Sequence, residues 1–488
     1  MTIAGSLNNA LSGLTATARA TEVVSSNVAN ANTPGYATRQ LEVSSQYLGG
    51  TPGGVKVNGV TRLVDQGVIN DRVLSDASAG HDSSIAAFLN DLESIIGTPE
   101  DAHSLSGRLA QFEAALVEAS SRPDNESRLN AVLDAAQDLV SHINGATDGI
   151  QQARMEADTS IANQVTSLNE GLKRVETLNY EIQETIARGL DPSSLMDLRQ
   201  QEIDKLSPIV PLRQAPRDNG MVALYTDGGA ILLDGKAATV GFSQAGSLIV
   251  PEMTQASGAL SGLTLNGLAM PSPDGQGRNA FGGGTLAAAF EIRDVLAVDA
   301  QKDLDAFSRD LVERFQDPAL DTTRAVGAAG LFTDAGSAFD PTDEVALSER
   351  LAVNTAVDPA QGGAIWRLRD GLGAATPGEV GNAQLLQDLT NALTDTRTAA
   401  SADFTNAARS SSGLAADFLS SVGADRLHAE NLLASSSAQN ETLKMMELES
   451  GVDTDNEMQK LLLIEQAYAA NARVIATVDE MIQQLLSM

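Results

Sequence analysis

The sequence contains no cysteine and few aromatic residues. Its 488 residues include 11 Phe, 5 Tyr and 1 Trp. The absence of cysteine excludes disulfide bonds, thiolate metal ligands and cysteine nucleophiles. With so little aromatic surface, the cores must be built from Ala, Leu, Val and Ile. That composition favours closely packed helices over an aromatic-rich sandwich.

Positive charge and long apolar runs are also scarce. Lys and Arg number 32 against 64 Asp and Glu, so the formal net charge is −32. This balance opposes binding to nucleic acids and to anionic membranes. No stretch approaches the roughly 18 apolar residues of a membrane span, and the first residues lack the basic and apolar regions of a Sec-type signal. We expect the chain to be cytosolic or to leave the cell without a cleavable signal.

Sequence motifs of common catalytic and cofactor sites are incomplete. Around Gly235-Lys236, Ala230 stands where a phosphate-binding loop needs its first glycine. The histidines show no metal-ligand spacing: His81, His103, His142 and His428. Carboxylates are abundant, but nothing singles out an acid–base pair. The sequence therefore predicts no catalytic residue, no metal site and no cofactor.

Both ends of the chain carry apolar or small side chains in heptad spacing. The N-terminal positions alternate by three and four residues: Ile3, Leu7, Ala10, Leu14, Thr17, Thr21, Val24 and Val28. The C-terminal positions do the same: Leu461, Ile464, Tyr468, Asn471, Ile475, Val478, Ile482 and Leu485. The spacing predicts two long helices with seams that face other helices. Two alternatives remain: the ends pack separately on a bundle, or they pair and assemble with neighbouring subunits.

The rest of the chain divides into segments that differ in composition and in their helix or strand patterns. Segments 41–206 and 285–449 predict two parts of one bundle of long helices, and the first part carries a predicted hairpin near 55–64 that turns at Asn58-Gly59. Between these parts, 207–284 is rich in Pro, Gly and short strand patterns, which predicts a small β-rich outer domain. Segments 1–40 and 450–488 are the terminal helices, the second capped by Thr454. The expected fold is mainly α with an inserted β domain, and its terminal helices form a coiled coil.

Two terminal motifs carry a family resemblance. The runs Ser26–Tyr36 (SNVANANTPGY) and Glu465–Ile475 (EQAYAANARVI) resemble the end motifs of flagellar rod, hook and hook-associated axial proteins. Four inner segments are similar to the hook-associated protein 1 family: 59–65, 194–201, 284–294 and 350–359. The resemblance implies axial assembly surfaces at both ends. The C-terminal candidates are the eight positions from Leu461 to Leu485 given above. The N-terminal candidates are Ile3, Leu7, Leu11, Leu14, Val24, Val28, Asn30, Asn32, Pro34, Gly35 and Tyr36.

The resemblance also implies a function, which is stated here as an expectation. Similar proteins are structural adaptors that leave through the flagellar type III system and form a ring at the distal end of the hook. The implied partners are identical subunits, the hook protein, a second junction protein and a cytosolic export chaperone on the C-terminal helix. No nucleic acid or membrane partner is expected. The implied location is extracellular, at the hook–filament junction, after a transient cytoplasmic stage.

Two rival functions stay open from the sequence. A rod or hook subunit would share the terminal motifs, but such subunits lack the long central helical region and the segment 350–359. A flagellum-associated cell-wall hydrolase would need a carboxylate site in a cleft. Two further expectations concern assembly. The terminal seams should lack partners and be disordered in the free monomer, and the β-rich insert should face outward and be dispensable.

Overall fold

The computed structural model describes residues 3–33, 35–48, 51–98, 100–246, 248–255, 257–273 and 279–487. Most of them are helical. The helices are α1 (Ile3–Ala29), α2 (Gln66–Ile96), α3 (Leu105–Ser121), α4 (Glu126–Ala187), α5 (Ser193–Leu206), α6 (Gly284–Glu291), α7 (Ala297–Gln316), α8 (Leu347–Arg350), α9 (Arg367–Asp370), α10 (Gln384–Thr394), α11 (Ser411–Glu449) and α12 (Thr454–Ser487). A π-helical turn, Ile292–Leu296, joins α6 to α7.

The strands are short except for one long antiparallel pair near the N-terminus. They are β1 (Thr38–Leu48), β2 (Thr51–Leu63), β3 (Leu212–Pro216), β4 (Val222–Thr226), β5 (Ile231–Asp234), β6 (Lys236–Ala237), β7 (Val240–Gly241), β8 (Thr264–Leu265), β9 (Leu268–Ala269), β10 (Phe332–Asp334), β11 (Leu351–Val353), β12 (Arg397–Thr398) and β13 (Ala408–Arg409). β3 to β6 form a four-stranded sheet and β7 to β9 a three-stranded one. The prediction of a mainly α fold with an inserted β region is confirmed.

Helix α4 organises the body of the molecule. It runs for 62 residues, and Asn125 caps its start by accepting hydrogen bonds from two backbone amides. Its apolar stripe continues through two hydrophobic cores. The first half packs in a core with α2, α3, α7, α10 and α11, where the rings of Phe112 and Phe315 each meet the ring of Phe332 edge to face. The second half packs in a separate core with α5, α6 and the inserted strands.

Within the described part of the insert, the strands form no separate hydrophobic core and share the core of α4. Leu224, Leu232 and Leu233 of the four-stranded sheet are fully buried in the same cluster as Leu168 and Leu172 of α4. One face of the insert is therefore part of the core of the body, which argues against the expectation that the insert is dispensable. These strands close the core beneath the second half of α4, and their removal would open it.

The hairpin predicted for 55–64 is also wrong. Asn58 and Gly59 both lie inside β2, where the pairing passes from Glu42–Gly59 to Val43–Val57 and leaves Asn58 as an extra residue. The Asn58-Gly59 pair therefore marks an irregularity within a strand and not a turn. The partner of β2 is β1, which the sequence reading did not assign to a strand.

The terminal helices pair with each other within one chain. Asn27 of α1 contacts Glu457 of α12, and Gly13 lies against Asn471. The contact points run in opposite directions along the two helices, which are therefore antiparallel. The expectation that the seams lack partners until neighbours arrive is contradicted, because each seam is the other's partner. The cap of α12 is Asp453, not Thr454: its carboxylate accepts from the amides of Asp455 and Asn456.

Candidate assembly interface

Six of the eight predicted C-terminal positions are covered on the face of α12 that meets α1. Val478 is buried, with 2% of its surface exposed. Five others are half-buried: Leu461, Ile464, Asn471, Ile475 and Ile482. Tyr468 and Leu485 are exposed at the edges. The heptad pattern therefore located the paired face of the helix.

The predicted N-terminal positions are distributed over two surfaces. Val24 is buried, whereas Leu11, Val28 and Asn32 are exposed. Pro34 lies outside the described residues. The remaining positions are half-buried: Ile3, Leu7, Leu14, Asn30, Gly35 and Tyr36. Helix α1 also packs on the hairpin of β1 and β2, where Ser12 Oγ accepts from the amide of Val55, so only part of its apolar surface faces α12.

Asn27 is the central polar residue of this region, and the sequence reading missed its role. Its side chain is completely buried and makes four hydrogen bonds. The amide nitrogen donates to Glu457 Oε2 at 2.9 Å and to the carbonyl of Arg39 at 2.9 Å. The oxygen accepts from the amide of Arg39 at 3.0 Å and from the Tyr36 hydroxyl at 2.8 Å. Asn27 thus joins α1, α12, β1 and the turn before β1, and its only sequence signal was membership of the Ser26–Tyr36 motif.

A second polar cluster fixes the base of the hairpin to α5. Asp197 accepts from Arg39 at 3.0 Å and from Arg62 at 2.6 Å. The guanidinium of Arg39 also lies over the ring of Tyr36, 4.8 Å from its centre, which is a favourable cation–π distance. Two strands and one helix therefore meet at a single carboxylate.

The turn after α1 requires glycine at position 35. The Gly35 φ of +76° lies in the left-handed region, and a Cβ atom there would come within 2.8 Å of Gln201 Cγ. A side chain at this position would suffer both backbone strain and a clash. The turn can therefore lie directly on α5.

Arg72 forms a third cluster, with Asp76 on its own helix, Asp204 of α5 and Glu447 of α11. Its nitrogens lie 2.6, 2.5 and 2.7 Å from these carboxylates. Burial alone would lower the pKa of Arg72, but the three carboxylates outweigh burial and raise it. The cluster borders a cleft of about 490 Å³, whose wall includes the turn after α1 and residues 448 and 450–452 before α12.

One flank of α12 is apolar and uncovered. Leu463, Val474, Met481 and Leu485 are exposed and spaced by whole helical turns, so they form a stripe. Contiguous apolar surface of this kind commonly marks a contact with another chain. We call these four residues the outer stripe.

Among the described residues, no group of three or more acidic or histidine side chains is arranged to hold a metal ion. A search of the same residues for helices long and apolar enough to cross a membrane found none.

Three family models match the chain in order. The model for flagella basal body rod proteins matches residues 7–36, and that for the flagellar basal body rod FlgEFG protein C-terminal region matches 446–488. Between them, the model for the flagellar hook-associated protein FlgK helical domain matches 89–329. The terminal matches cover most of α1 and all of α12, and the central one covers α4, the inserted strands and α6.

Curated relatives share one name, "Flagellar hook-associated protein 1". The protein of Salmonella typhimurium is 28% identical over 311 residues, and the match covers 58% of this chain and 54% of that protein. This chain thus spans about half the length of the Salmonella relatives. The Bacillus subtilis protein is 23% identical, with 99% of this chain and 97% of that protein covered. A solved structure of the flagellar hook junction protein FlgK from Burkholderia pseudomallei has a TM-score of 0.44 at 19% identity and covers 55% of this chain and 47% of that one.

The paired terminal helices and the two terminal matches define the class: an axial protein of the flagellar rod and hook type. The central match and the shared name of the relatives then identify the family. The chain belongs to the flagellar hook-associated protein 1 family. Members of this family are structural proteins and not enzymes.

Proposed function

We propose that this chain is a structural adaptor subunit of the bacterial flagellum that joins the hook to the filament. The observation that supports it most is the order of the chain: two terminal segments of the rod and hook type enclose a helical domain of the hook-associated type. The terminal segments form one antiparallel helix pair, and the helical domain forms the body beside it.

The outer stripe of α12 is the proposed contact with neighbouring subunits. The six covered seam residues are already used within the chain, so a neighbour must bind a different surface. Leu463, Val474, Met481 and Leu485 supply one that is apolar and exposed. In a ring of identical subunits at the distal end of the hook, each stripe would pack against the next subunit, with the hook protein on one side and a second junction protein on the other.

Export is part of the proposal. A chain that passes through the narrow flagellar type III channel must be unfolded, and the absence of cysteine removes any disulfide that would prevent this. A cytosolic chaperone that holds α12 before export would cover the apolar side chains that later contact α1 and neighbouring subunits. The protein would then act outside the cell, at the hook–filament junction.

A rod or hook subunit is the alternative, because both terminal matches carry rod names. A deletion strain separates the two. Loss of a hook–filament adaptor leaves complete hooks without filaments and flagellin in the medium, whereas loss of a rod or hook subunit leaves no complete hook. Plasmid-borne wild-type chain should restore filaments and motility. Filaments of normal number on the deletion strain would contradict the proposal.

A further inference from the structure

The terminal unit, which we define as α1, β1, β2 and α12, is attached to the body mainly through polar contacts. Among the described residues, neither hydrophobic core includes a residue of these four elements. The body is therefore held by apolar packing, while the hairpin of the terminal unit is fixed to α5 by the ion pairs of Asp197 with Arg39 and Arg62. The cleft of about 490 Å³ lies between the two parts.

A continuous chain of polar contacts crosses the terminal unit. It starts at Glu457 of α12, passes through the side chain of Asn27 to the backbone of Arg39, and continues through the Arg39 guanidinium to Asp197 of α5. Glu457 and Asp197 do not touch each other. We call this chain of contacts the relay.

The relay is buried at Glu457, Asn27 and Asp197, and the Arg39 side chain between the last two is 14% exposed. Glu457 is 2% exposed, Asn27 is 0% exposed and Asp197 is 6% exposed. A buried polar group that loses its partner bears the full cost of desolvation. Buried hydrogen-bond networks therefore respond as a unit more than isolated surface pairs do.

We propose that the relay is a conformational lock that couples two events, the pairing of α12 with α1 and the docking of the hairpin on α5. When α12 leaves α1, Asn27 loses one acceptor and its amide reorients, which releases the backbone of Arg39. The Arg39 side chain then leaves Asp197, and the terminal unit separates from the body. The unit is held in one position only while both terminal helices are paired. The lock is a property of the single chain and does not depend on the proposed function.

Hydrogen-exchange mass spectrometry on the purified full-length chain tests this coupling. Glu457→Ala should speed amide exchange at least about tenfold in β1 as well as in α12, because the lost bond is buried and charge-assisted. Asp197→Ala should do the same in the last turns of α1 and the first turns of α12. The double variant should show less acceleration than the product of the two single effects, since either change already opens the lock.

The controls separate coupling from local damage. Glu22→Ala removes an exposed carboxylate of α1 that pairs with Arg19, with 65% of its side chain exposed, and should change nothing. Exchange in α4 reports whether the body stays folded. If Asp197→Ala is not soluble, Asp197→Asn keeps the shape and removes the charge. Acceleration confined to the element that carries each substitution, with independent effects in the double variant, would overturn the proposal.

Discussion

The side chain of Asn471 lies directly on Gly13, so closely that a Cβ atom at position 13 would come within 2.7 Å of the Asn471 amide nitrogen. This contact brings α1 and α12 close together near the middle of their pairing. The contact also gives Asn471, a polar residue in the seam, a defined neighbour on α1. From the heptad pattern alone, Asn471 could be interpreted only as a residue that sets the register of the helix pair.

Gly13→Val is expected to weaken the pairing of α1 and α12. Overpacking of this kind costs about 1–3 kcal/mol, and valine cannot avoid the short Asn471 side chain. Hydrogen exchange in α12 should become faster. In an Asn471→Ala background the same substitution should have a much smaller effect, because the obstructing amide is gone. Equal effects of Gly13→Val in both backgrounds would show that the contact does not limit the approach of the helices.

Val478→Asp and Leu485→Asp distinguish the seam from the outer stripe. Val478 is buried against α1 while Leu485 is 61% exposed. Burial of an unpaired uncharged polar group costs about 2–7 kcal/mol, and burial of an unpaired carboxylate costs more. Val478→Asp should make 454–487 sensitive to protease and leave the melting temperature of the body unchanged. Leu485→Asp should leave the protease pattern unchanged but prevent filament attachment in cells.

Two results with these variants would contradict the assignment of the seam and of the outer stripe. A large fall in the melting temperature of the body with Val478→Asp would place α12 in the core. Normal filament attachment with Leu485→Asp would exclude this residue of the outer stripe from the subunit contact.

The sequence located the terminal seams because heptad spacing records which side chains face a partner helix. Val478 and Ile475 were found in this way. The sequence alone does not mark Asn27 as more important than other polar residues, because its role depends on a buried hydrogen bond to Glu457, which is 430 residues away in the chain. A buried polar side chain shows no periodicity, so only the fold reveals its partners.

The inserted strands were misjudged for a different reason. Their Pro- and Gly-rich turns are typical of segments that project from the surface. The expectation followed this composition and gave too little weight to the apolar run around Leu232 and Leu233. The structure buries both residues against α4. Local composition predicted the strands correctly but carried no information on what they cover.

Replacement of residues 207–284 by a Gly/Ser linker is expected to prevent folding of the body. The change would expose Leu168, Leu172 and Phe290, each of which is fully buried, and exposure of each such side chain costs about 1.5–3 kcal/mol. The purified variant should aggregate or lack a cooperative thermal transition. Leu268→Ser, at a site in β9 that is 73% exposed, is the matched control and should melt like the wild type. A soluble deletion variant with the wild-type melting temperature would show that the insert is dispensable after all.

His81 should make the contact between α2 and α6 dependent on pH. Burial lowers its pKa, but hydrogen bonds to Glu291 and Asp82 raise it more, so the pKa lies above its ordinary value of 6.5. A raised pKa means that the stabilisation is complete below pH 6.5 and is lost as the pH rises through the raised value. The stability difference between wild type and His81→Gln should therefore shrink with rising pH, from about 1 kcal/mol or less.

Thermal unfolding across this pH range measures the effect. His103→Gln is the control, since 75% of that side chain is exposed. A difference between wild type and His81→Gln that stays constant or grows with pH would mean that the charged form of His81 is not the stabilising one.

The position of the protein in the flagellum decides most directly whether it joins the hook to the filament. Intact flagella with hooks and filaments attached can be imaged by electron microscopy after labelling with gold-tagged antibody against the body of this chain. For a hook–filament adaptor, we expect label confined to a narrow band at the distal end of the hook, where the filament begins. Label along the length of the hook or within the rod, or no label on the flagellum, would contradict this role.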